Sequence, residues 1–411
     1  MKILLANKYF YIKGGAENSF FVTAELLKQH GHEIQFFSMK DPRNLPNDFE
    51  SYFVSNVDYD RPGLLNKIDV AFKLLYSFES KRNIARLIKD KRPEIVHLNN
   101  IYHQISPSIL HSIKQAGLPV VMSLRDYKVV CASYSMVING KPCEACSSGR
   151  YYNCLSKKCV KGSSVKSALN VIEMYLHHNI LNLYGLVDVF ISPSRFLKDK
   201  VKEMGFKGKV VYLPNFVQLD PIAPQYDWKE RSICYVGRLS KEKGIMTLIK
   251  AVKGLDVILK VIGDGPIRQS LETYVQDNNQ TNVRFYGHLN GSALKEEICN
   301  GMFIVIPSEW YENNPRTVIE SFAYGKPAIG SRMGGIPELI RHGETGLLYT
   351  SGNVEELRAS IQSLLNDTEQ IALLGRAARH LVEAELAPEI HYKKLMRIYQ
   401  AAISGRAGDL E

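Results

Sequence analysis

The stretch "SICYVGRLSKEKG" (residues 232–244) runs from an apolar segment into a glycine and then into two cations, Arg238 and Lys243, five residues apart. A short apolar run closed by glycine and followed by a helical pattern reads as a buried strand turning into a helix. Two cations at a strand's carboxyl end, beside a helix N-terminus, suit a diphosphate, because fixed charges and backbone donors converge on the same oxygens. Taken alone, the segment reads equally well as a loop of solvated charges. Its surroundings decide between the two.

Similar apolar runs alternate with amphipathic helical stretches nearly from end to end, the pattern of parallel sheets with crossover helices. In the first half they are "KILLAN" (2–7), "EIQFFSM" (33–39), "EIVHLNN" (94–100), "PVVMSLR" (119–125) and "DVFISPS" (188–194). In the second half, "DVILKVIG" (256–263), "NVRFYG" (282–287), "MFIVIPS" (302–308) and "KPAIGS" (326–331) follow the opening strand. This predicts two doubly wound α/β domains, divided in the proline-punctuated stretch 213–230, which holds Pro214, Pro221 and Pro224. Ligands of such sheets bind beyond the carboxyl ends of the strands, so the two domains are expected to face one interdomain cleft. The final segment, "PEIHYKKLMRIYQAAI", spaces Tyr392, Leu395, Ile398 and Tyr399 as one face of a helix that packs on a domain.

With 45% hydrophobic and 23% charged residues, the 411-residue chain is expected to be soluble and globular. The start, "MKILLANKYF", reads as a first strand rather than a leader peptide, because its apolar run stops at Ala6. No stretch reaches the ~20 apolar residues of a membrane span, so a cytoplasmic location is expected. The formal charge of +10 implies anionic partners. Its spread, with one modest cluster at Lys157, Lys158, Lys161 and Lys166, favours nucleotide phosphates and an acidic membrane face over nucleic acid. A nicotinamide-dependent enzyme is disfavoured, because no G-x-G-x-x-G follows the first strand.

In "YENNPRTVIE" (311–320), Glu312 and Glu320 are separated by seven residues. Asparagine is a good N-cap and proline a good first helical residue, which predicts a helix beginning at Asn314. Glu312 would then stand in the loop ahead and Glu320 in the second turn, addressing opposite ends of one long ligand. "GDGP" (263–266) and "YGH" (286–288) also end strands in glycine turns suited to close ligand approach.

Together, "GRLSKEKG", the two spaced glutamates, "YGKPAIGSRMGGIPELI" (324–340) and "HGETGLLY" (342–349) resemble the retaining glycosyltransferases of the GT-B fold, family GT4. In the first domain "KGGAE" (13–17), "IVHLNN" (95–100), "SPSRF" (192–196) and "LPN" (213–215) agree. The resemblance implies two Rossmann-like domains. Residues 1–212 would bind the acceptor, residues 213–385 would bind the donor, and residues 386–411 would form a helix packing back on the first domain. It implies transfer of a sugar from a UDP- or GDP-linked donor to a glycan or lipid-linked acceptor, with no cofactor required for catalysis. Arg238 and Lys243 would neutralise the leaving diphosphate, Glu312 would contact the donor sugar, and Glu320 would hold the ribose. Gly14, Gly15, Gly263, His288, Asn313, Asn314, Arg316 and Thr317 would complete the donor site, with His97 and Asn99 on the acceptor side.

Two positions depart from the family. Pro315 stands where glycine is common and removes one donor. Arg125, before Asp126, replaces a histidine and cannot titrate near neutral pH, so it is assigned to the donor sugar or its phosphate, with a simple Arg–Asp loop as the alternative. The segment 131–162 is a cysteine-rich insert. Cys143, Cys146, Cys154 and Cys159 predict a structural zinc site, with an iron–sulfur cluster as the alternative. The following helix carries Val165, Leu169, Ile172, Tyr175 and Leu176 beside Lys161 and Lys166, a face suited to peripheral contact with an acidic membrane or to packing on its own domain. His97, at a strand's carboxyl end, reads equally as a hydrogen-bonded loop or core histidine, as do His103, His177 and His178. A nucleotide-sugar epimerase and a non-catalytic nucleotide-sugar binder are the competing functions.

Overall fold

The computed structural model describes residues 1–56, 73–219, 224, 226, 228 and 230–410; Pro221 of the proline-rich stretch lies outside them. Residues 1–136, 144–213 and 392–411 form one compact unit, and residues 137–143 with 214–391 form a second.

The first unit is built on β1 (Lys2–Ala6), β2 (Glu33–Phe37), β3 (Ile95–Leu98) and β4 (Val120–Ser123). A two-stranded hairpin, β5 (Val137–Ile138) and β6 (Lys141–Pro142), follows and is grouped with the second unit. β7 (Val189–Ser192) and β8 (Val210–Tyr212) complete the first sheet, whose order is β2-β1-β3-β4-β7-β8 with every pairing parallel. The second unit holds β9 (Ser232–Val236), β10 (Ile258–Ile262), β11 (Val283–Gly287), β12 (Ile304–Ile306), β13 (Ala328–Ser331) and β14 (Gly346–Tyr349). Their order is β11-β10-β9-β12-β13-β14, again all parallel.

All ten strands expected from the sequence form. β5, β6, β8 and β14 lie beyond the expected ten: β5 and β6 have two residues each, β8 has three, and β14 opens on Gly346, which reads as a loop residue. Gly346 is needed because a Cβ there would lie 1.9 Å from the Ala328 carbonyl oxygen on the neighbouring strand.

Strands covered on both faces must be apolar throughout, and successive residues feed opposite layers. Ile233 and Val305 join one core cluster, with Leu248, Leu271 and Leu357 from the helices on that face. Cys234, Ile304 and Ile306 join the other, with Val318, Ile319 and Phe322 from the helix Arg316–Ala323. In the first unit Ile3, Leu5 and Val121 pack with Phe10, Phe20 and Phe36, and the C-terminal helix Pro388–Ile403 adds Leu395, Ile398 and Tyr399 to this core. Each fully buried aliphatic or aromatic side chain contributes about 1.5–3 kcal/mol.

The strand order reverses beside the first strand of each unit, between β1 and β3 and between β9 and β12. The loops leaving those strands diverge to opposite faces, and the gap between them is where an open α/β sheet receives its ligand.

Candidate active site

In the second unit the two diverging loops are locked together. After β9 the chain makes a single 3₁₀ turn, Lys241–Lys243, and Gly244 adopts φ +66° before the helix Ile245–Ala251. A Cβ on Gly244 would sit 1.9 Å from the Pro307 carbonyl oxygen, so only glycine lets this turn lie against the end of β12. Thr247 Oγ1 donates to Glu309 Oε1 at 2.6 Å, and the Glu309 N–H donates to the Glu242 carbonyl at 2.8 Å.

This brings Lys243 to Glu312. Lys243 Nζ lies 2.5 Å from Glu312 Oε1, which also accepts from Ser308 Oγ at 2.6 Å and Trp310 Nε1 at 2.8 Å. Lys243 Nζ stands 5.0 Å from the centroid of the Trp310 ring. Burial pushes the Glu312 carboxyl up, but the Lys243 charge and the three donors outweigh it and hold the group below its usual value of 4.5. The backbone is pinned as well. Gly334, at φ +61°, leaves no room for a Cβ, which would meet the Glu312 carbonyl oxygen at 2.2 Å, and the Gly335 N–H donates to that same oxygen at 2.7 Å. Ser308, Trp310 and Gly334 were not expected from the sequence. The "PSEWYENN" run held the signal, since Ser308 and Trp310 flank the carboxylate within four residues.

The helix that follows begins at Arg316, not Asn314. Pro315, with φ −66° and ψ 110°, is the N-cap, because its ring suits the extended cap as well as the first turn; its carbonyl accepts from the Val318 N–H at 3.1 Å. Asn314 is therefore displaced from the cap. Its side chain is buried, and neither Oδ1 nor Nδ2 has a hydrogen-bond partner among the described residues. The first N–H groups of this helix, including Thr317, lack intrahelical acceptors by geometry. Glu320 lies in the second turn and faces Arg316 Nε at 3.3 Å. Burial raises the Glu320 pKa, and the Arg316 charge opposes this without cancelling it.

The other expected residues of this unit are more dispersed. Arg238 is exposed after β9. Gly263 follows β10, where a Cβ would strike the Gly237 carbonyl oxygen at 1.9 Å, so the glycine there serves the packing of two strand ends. Asn313 adjoins Glu312 and is partly buried, whereas His288 is exposed after β11, two strands from β9.

In the first unit Gly14 is extended (φ −174°) and caps the helix Gly15–Gln29. The nearest atom to a Cβ on Gly14 would be Glu17 Oε2, at 3.9 Å, so the fold does not itself demand glycine there. Asn99 follows β3, and its Oδ1 accepts from Arg125 Nε and Nη2 at 3.4 and 3.3 Å. His97, expected near the acceptor or in the core, lies in the core. It is buried, with Nδ1 2.7 Å from Tyr399 Oη and Nε2 2.8 Å from Ser123 Oγ, because β3 is an interior strand and its side chains enter the core.

Behind the Arg125 loop lies a buried polar group that the sequence did not announce. Lys128 Nζ donates to Glu173 Oε2 at 2.6 Å, and both side chains are essentially inaccessible. His103 and His177 approach the same carboxylate at 3.7 and 3.9 Å, and burial holds both imidazoles below their usual pKa, His103 down to about 4. The Lys128 N–H donates to Asp126 Oδ1 at 2.9 Å, which ties this cluster to the Arg125–Asp126 pair.

Cys143, Cys146, Cys154 and Cys159, expected to hold zinc, form no disulfide, and among the described residues no group of three or more His, Cys, Asp or Glu is placed to hold a metal. Cys154 and Cys159 lie close enough for each thiol to shift the other's ionisation. The helix Ser164–Tyr175 buries Ser167, Asn170, Val171, Glu173 and Met174, while Val165 and Ile172 are exposed. Among the described residues no helix is long and apolar enough to cross a membrane.

Residues 13–221 match the family Glycosyltransferase Family 4, and residues 221–381 match Glycosyl transferases group 1. An uncharacterized 42.6 kDa protein in the cps region of Klebsiella pneumoniae is 28% identical, covering 83% of this chain and 88% of its own length. The GDP-mannose-dependent alpha-mannosyltransferase of Corynebacterium glutamicum is 23% identical, covering 91% of this chain and 83% of its own. Among solved structures, sucrose-phosphate synthase from Thermosynechococcus elongatus superposes with a TM-score of 0.73 at 19% identity, covering 98% of this chain and 99% of its own. Anabaena HepE in complex with UDP and glucose superposes with a TM-score of 0.67 at 16% identity, covering 98% and 100%. Two six-stranded parallel-sheet units, a family match over half the chain and relatives of this kind lead to one conclusion: the chain belongs to glycosyltransferase family 4 and is a glycosyltransferase of the GT-B fold.

Proposed function

We propose that this glycosyltransferase moves a sugar, with retention of anomeric configuration, from a nucleotide diphosphate sugar to an acceptor hydroxyl in the assembly of a surface polysaccharide or glycolipid. The observation that carries this reading is the Lys243–Glu312 pair, set between the β9 and β12 loops ahead of the helix Arg316–Ala323. Departure of a nucleoside diphosphate builds negative charge on the phosphates and positive charge on the anomeric carbon. Lys243, Arg238 and the amides at Arg316 and Thr317 meet the first. Glu312, held as a carboxylate, engages the sugar hydroxyls, and Glu320 engages the ribose. The buried Asn314 amide without a partner fits a site that receives a polar ligand group. Charge neutralisation in this assignment comes from side chains and amides, and it requires no metal.

In the first unit the reading assigns Gly14 and Gly15 to the donor phosphates, Arg125 to the donor sugar and Asn99 to the acceptor. A glycine at position 14 that the fold does not require supports this. The GDP-mannose-dependent relative and the UDP-bound neighbour support a GDP- or UDP-linked donor, and the relative from a cps region supports a surface-glycan product. Exposed Val165 and Ile172, beside Lys161 and Lys166, support contact with an acidic membrane face.

The test is a thermal-shift screen against UDP-, GDP- and ADP-sugars, where a donor at 100 times its Kd adds about 2.7 kcal/mol to stability. The stabilising donor is then incubated with candidate acceptors, and the anomeric configuration of the product is read by NMR. Inverted product would overturn the retaining assignment. Isomerised donor without an acceptor would favour the epimerase, and failure of every nucleotide sugar to stabilise the protein would remove the donor assignment.

A further inference from the structure

The short helix Tyr152–Ser156 ends in a turn that explains the spacing of two cysteines. The Cys159 N–H donates to the Cys154 carbonyl at 3.1 Å, and the Lys158 N–H donates to the Leu155 carbonyl at 3.0 Å, with Lys158 left-handed at φ +48°. These are the two nested bonds of a Schellman motif, whose geometry lays the side chain after the left-handed residue against the one three positions inside the helix end. Apolar residues usually fill those two places. Here they are Cys159 and Cys154, close enough for each thiol to shift the other's ionisation. Cys154 is buried at 1% exposure and Cys159 is partly exposed, so one sulfur of the pair is within reach of solvent and the other is sheltered behind it. Lys157 and Lys158, both exposed, occupy the turn between them.

We propose that Cys154 and Cys159 are a reversible thiol–disulfide site, oxidised by exchange with a low-molecular-weight disulfide. The Cys159 thiolate attacks one sulfur of the small disulfide, which forms a mixed disulfide and expels one small thiolate. Cys154 then gives up its proton and attacks Cys159 Sγ, forming the protein disulfide and expelling the second thiolate. The two protons lost by the cysteines end on the two small thiols. Two protein thiols are oxidised and one small disulfide is reduced. The backbone hydrogen bonds hold both sulfurs in one turn before the reaction, so the second step closes a loop that is already formed. Reduction by a small dithiol runs the same steps backwards. The site is independent of the sugar-transfer reading, since none of its residues belongs to the proposed donor site.

The full-length protein, purified without chelator and treated with oxidised glutathione, should become lighter by two hydrogens. Peptide mapping should place one bond between Cys154 and Cys159, and dithiothreitol should remove it. In Cys154→Ser the reaction should stop at the first step, with glutathione retained on Cys159. Lys158→Gly keeps the left-handed turn and should close as fast as the natural chain, whereas Lys158→Val disfavours it and should close about tenfold more slowly. Both lysine variants retain the cysteines, so they separate the geometry from the chemistry. The proposal is overturned if glutathione stays on Cys159 in the unaltered chain, or if the bond joins Cys131 or Cys146 instead. A bound metal that shields all four cysteines of the insert would overturn it too.

Discussion

Each unit contains a lysine–glutamate pair at hydrogen-bond distance, and the two pairs do opposite work. Lys128 and Glu173 have 1% and 0% of their side-chain surface exposed, so their charges are spent on each other inside the first unit. Lys243 and Glu312 have 24% and 9% exposed, and they sit where the strand order of the second sheet reverses. A closed pair holds two segments together and is expensive to break. A pair open on one side leaves its cation available to an incoming anion while the carboxylate keeps Ser308 and Trp310 as partners. The same two residue types thus form a closed clamp in one unit and a partly open pair in the other, whose cation the proposed function assigns to the donor diphosphate.

The largest expected effect comes from breaking the clamp. Lys128→Met strands Glu173 without its charge partner and should cost about 3–5 kcal/mol in urea unfolding, while the double variant Lys128→Met, Glu173→Leu should recover most of it. An unchanged unfolding midpoint for the single variant would place the stability of this region elsewhere. Lys243→Ala should reverse the proportions, lowering kcat for sugar transfer about 10²–10³-fold with a smaller loss of stability than Lys128→Met. Similar stability losses from both, with transfer intact in Lys243→Ala, would erase the distinction.

A smaller effect separates the two glutamates of the second unit. Glu320→Ala should raise the KM for the donor about tenfold with kcat little changed, as expected for one hydrogen-bonded charged group, whereas Glu312→Ala should act mainly on kcat. Purely affinity-type losses from both would contradict the division of roles. The smallest effect is acidic. Because the folded Glu312 carboxyl is held below its usual 4.5, the unfolded chain binds more protons between the two values, and stability falls as pH drops through the folded pKa. The natural chain should therefore lose stability faster than Glu312→Gln as pH is lowered from about 5, and the two unfolding midpoints should draw together. Parallel pH profiles would show that the pair contributes nothing through ionisation.

The strands and the two-unit plan were legible because buried parallel strands are continuous apolar runs, and ten of them could be located by that property alone. Glu312, Lys243 and Glu320 were legible as candidates for the same reason, since each follows a strand or opens a helix at a readable distance. Their partners were not. The Lys243–Glu312 bond joins loops 69 residues apart, and that choice is made by the close approach of Gly244 to the end of β12. The helix starts two residues later than the asparagine cap implies because proline satisfies the cap position as well as the first turn, and His97 takes the core place, one of its two readings, because a strand end and a strand interior differ by one residue. The cysteine spacing alone does not show that the Cys154–Cys159 interval spans a Schellman turn, which is set by backbone hydrogen bonds.

Gly334 and Gly335 hold the Glu312 main chain, and Gly244 holds the loop that brings Lys243 to it, so the Glu312 backbone is located by contacts that no neighbouring side chain mediates. Side chains around it, such as Asn313, Asn314 and Arg316, can therefore be exchanged without moving it. The arrangement separates a backbone that must stay put from side chains that can vary around it, which makes residues 313–317 the place to vary the proposed site without displacing Glu312.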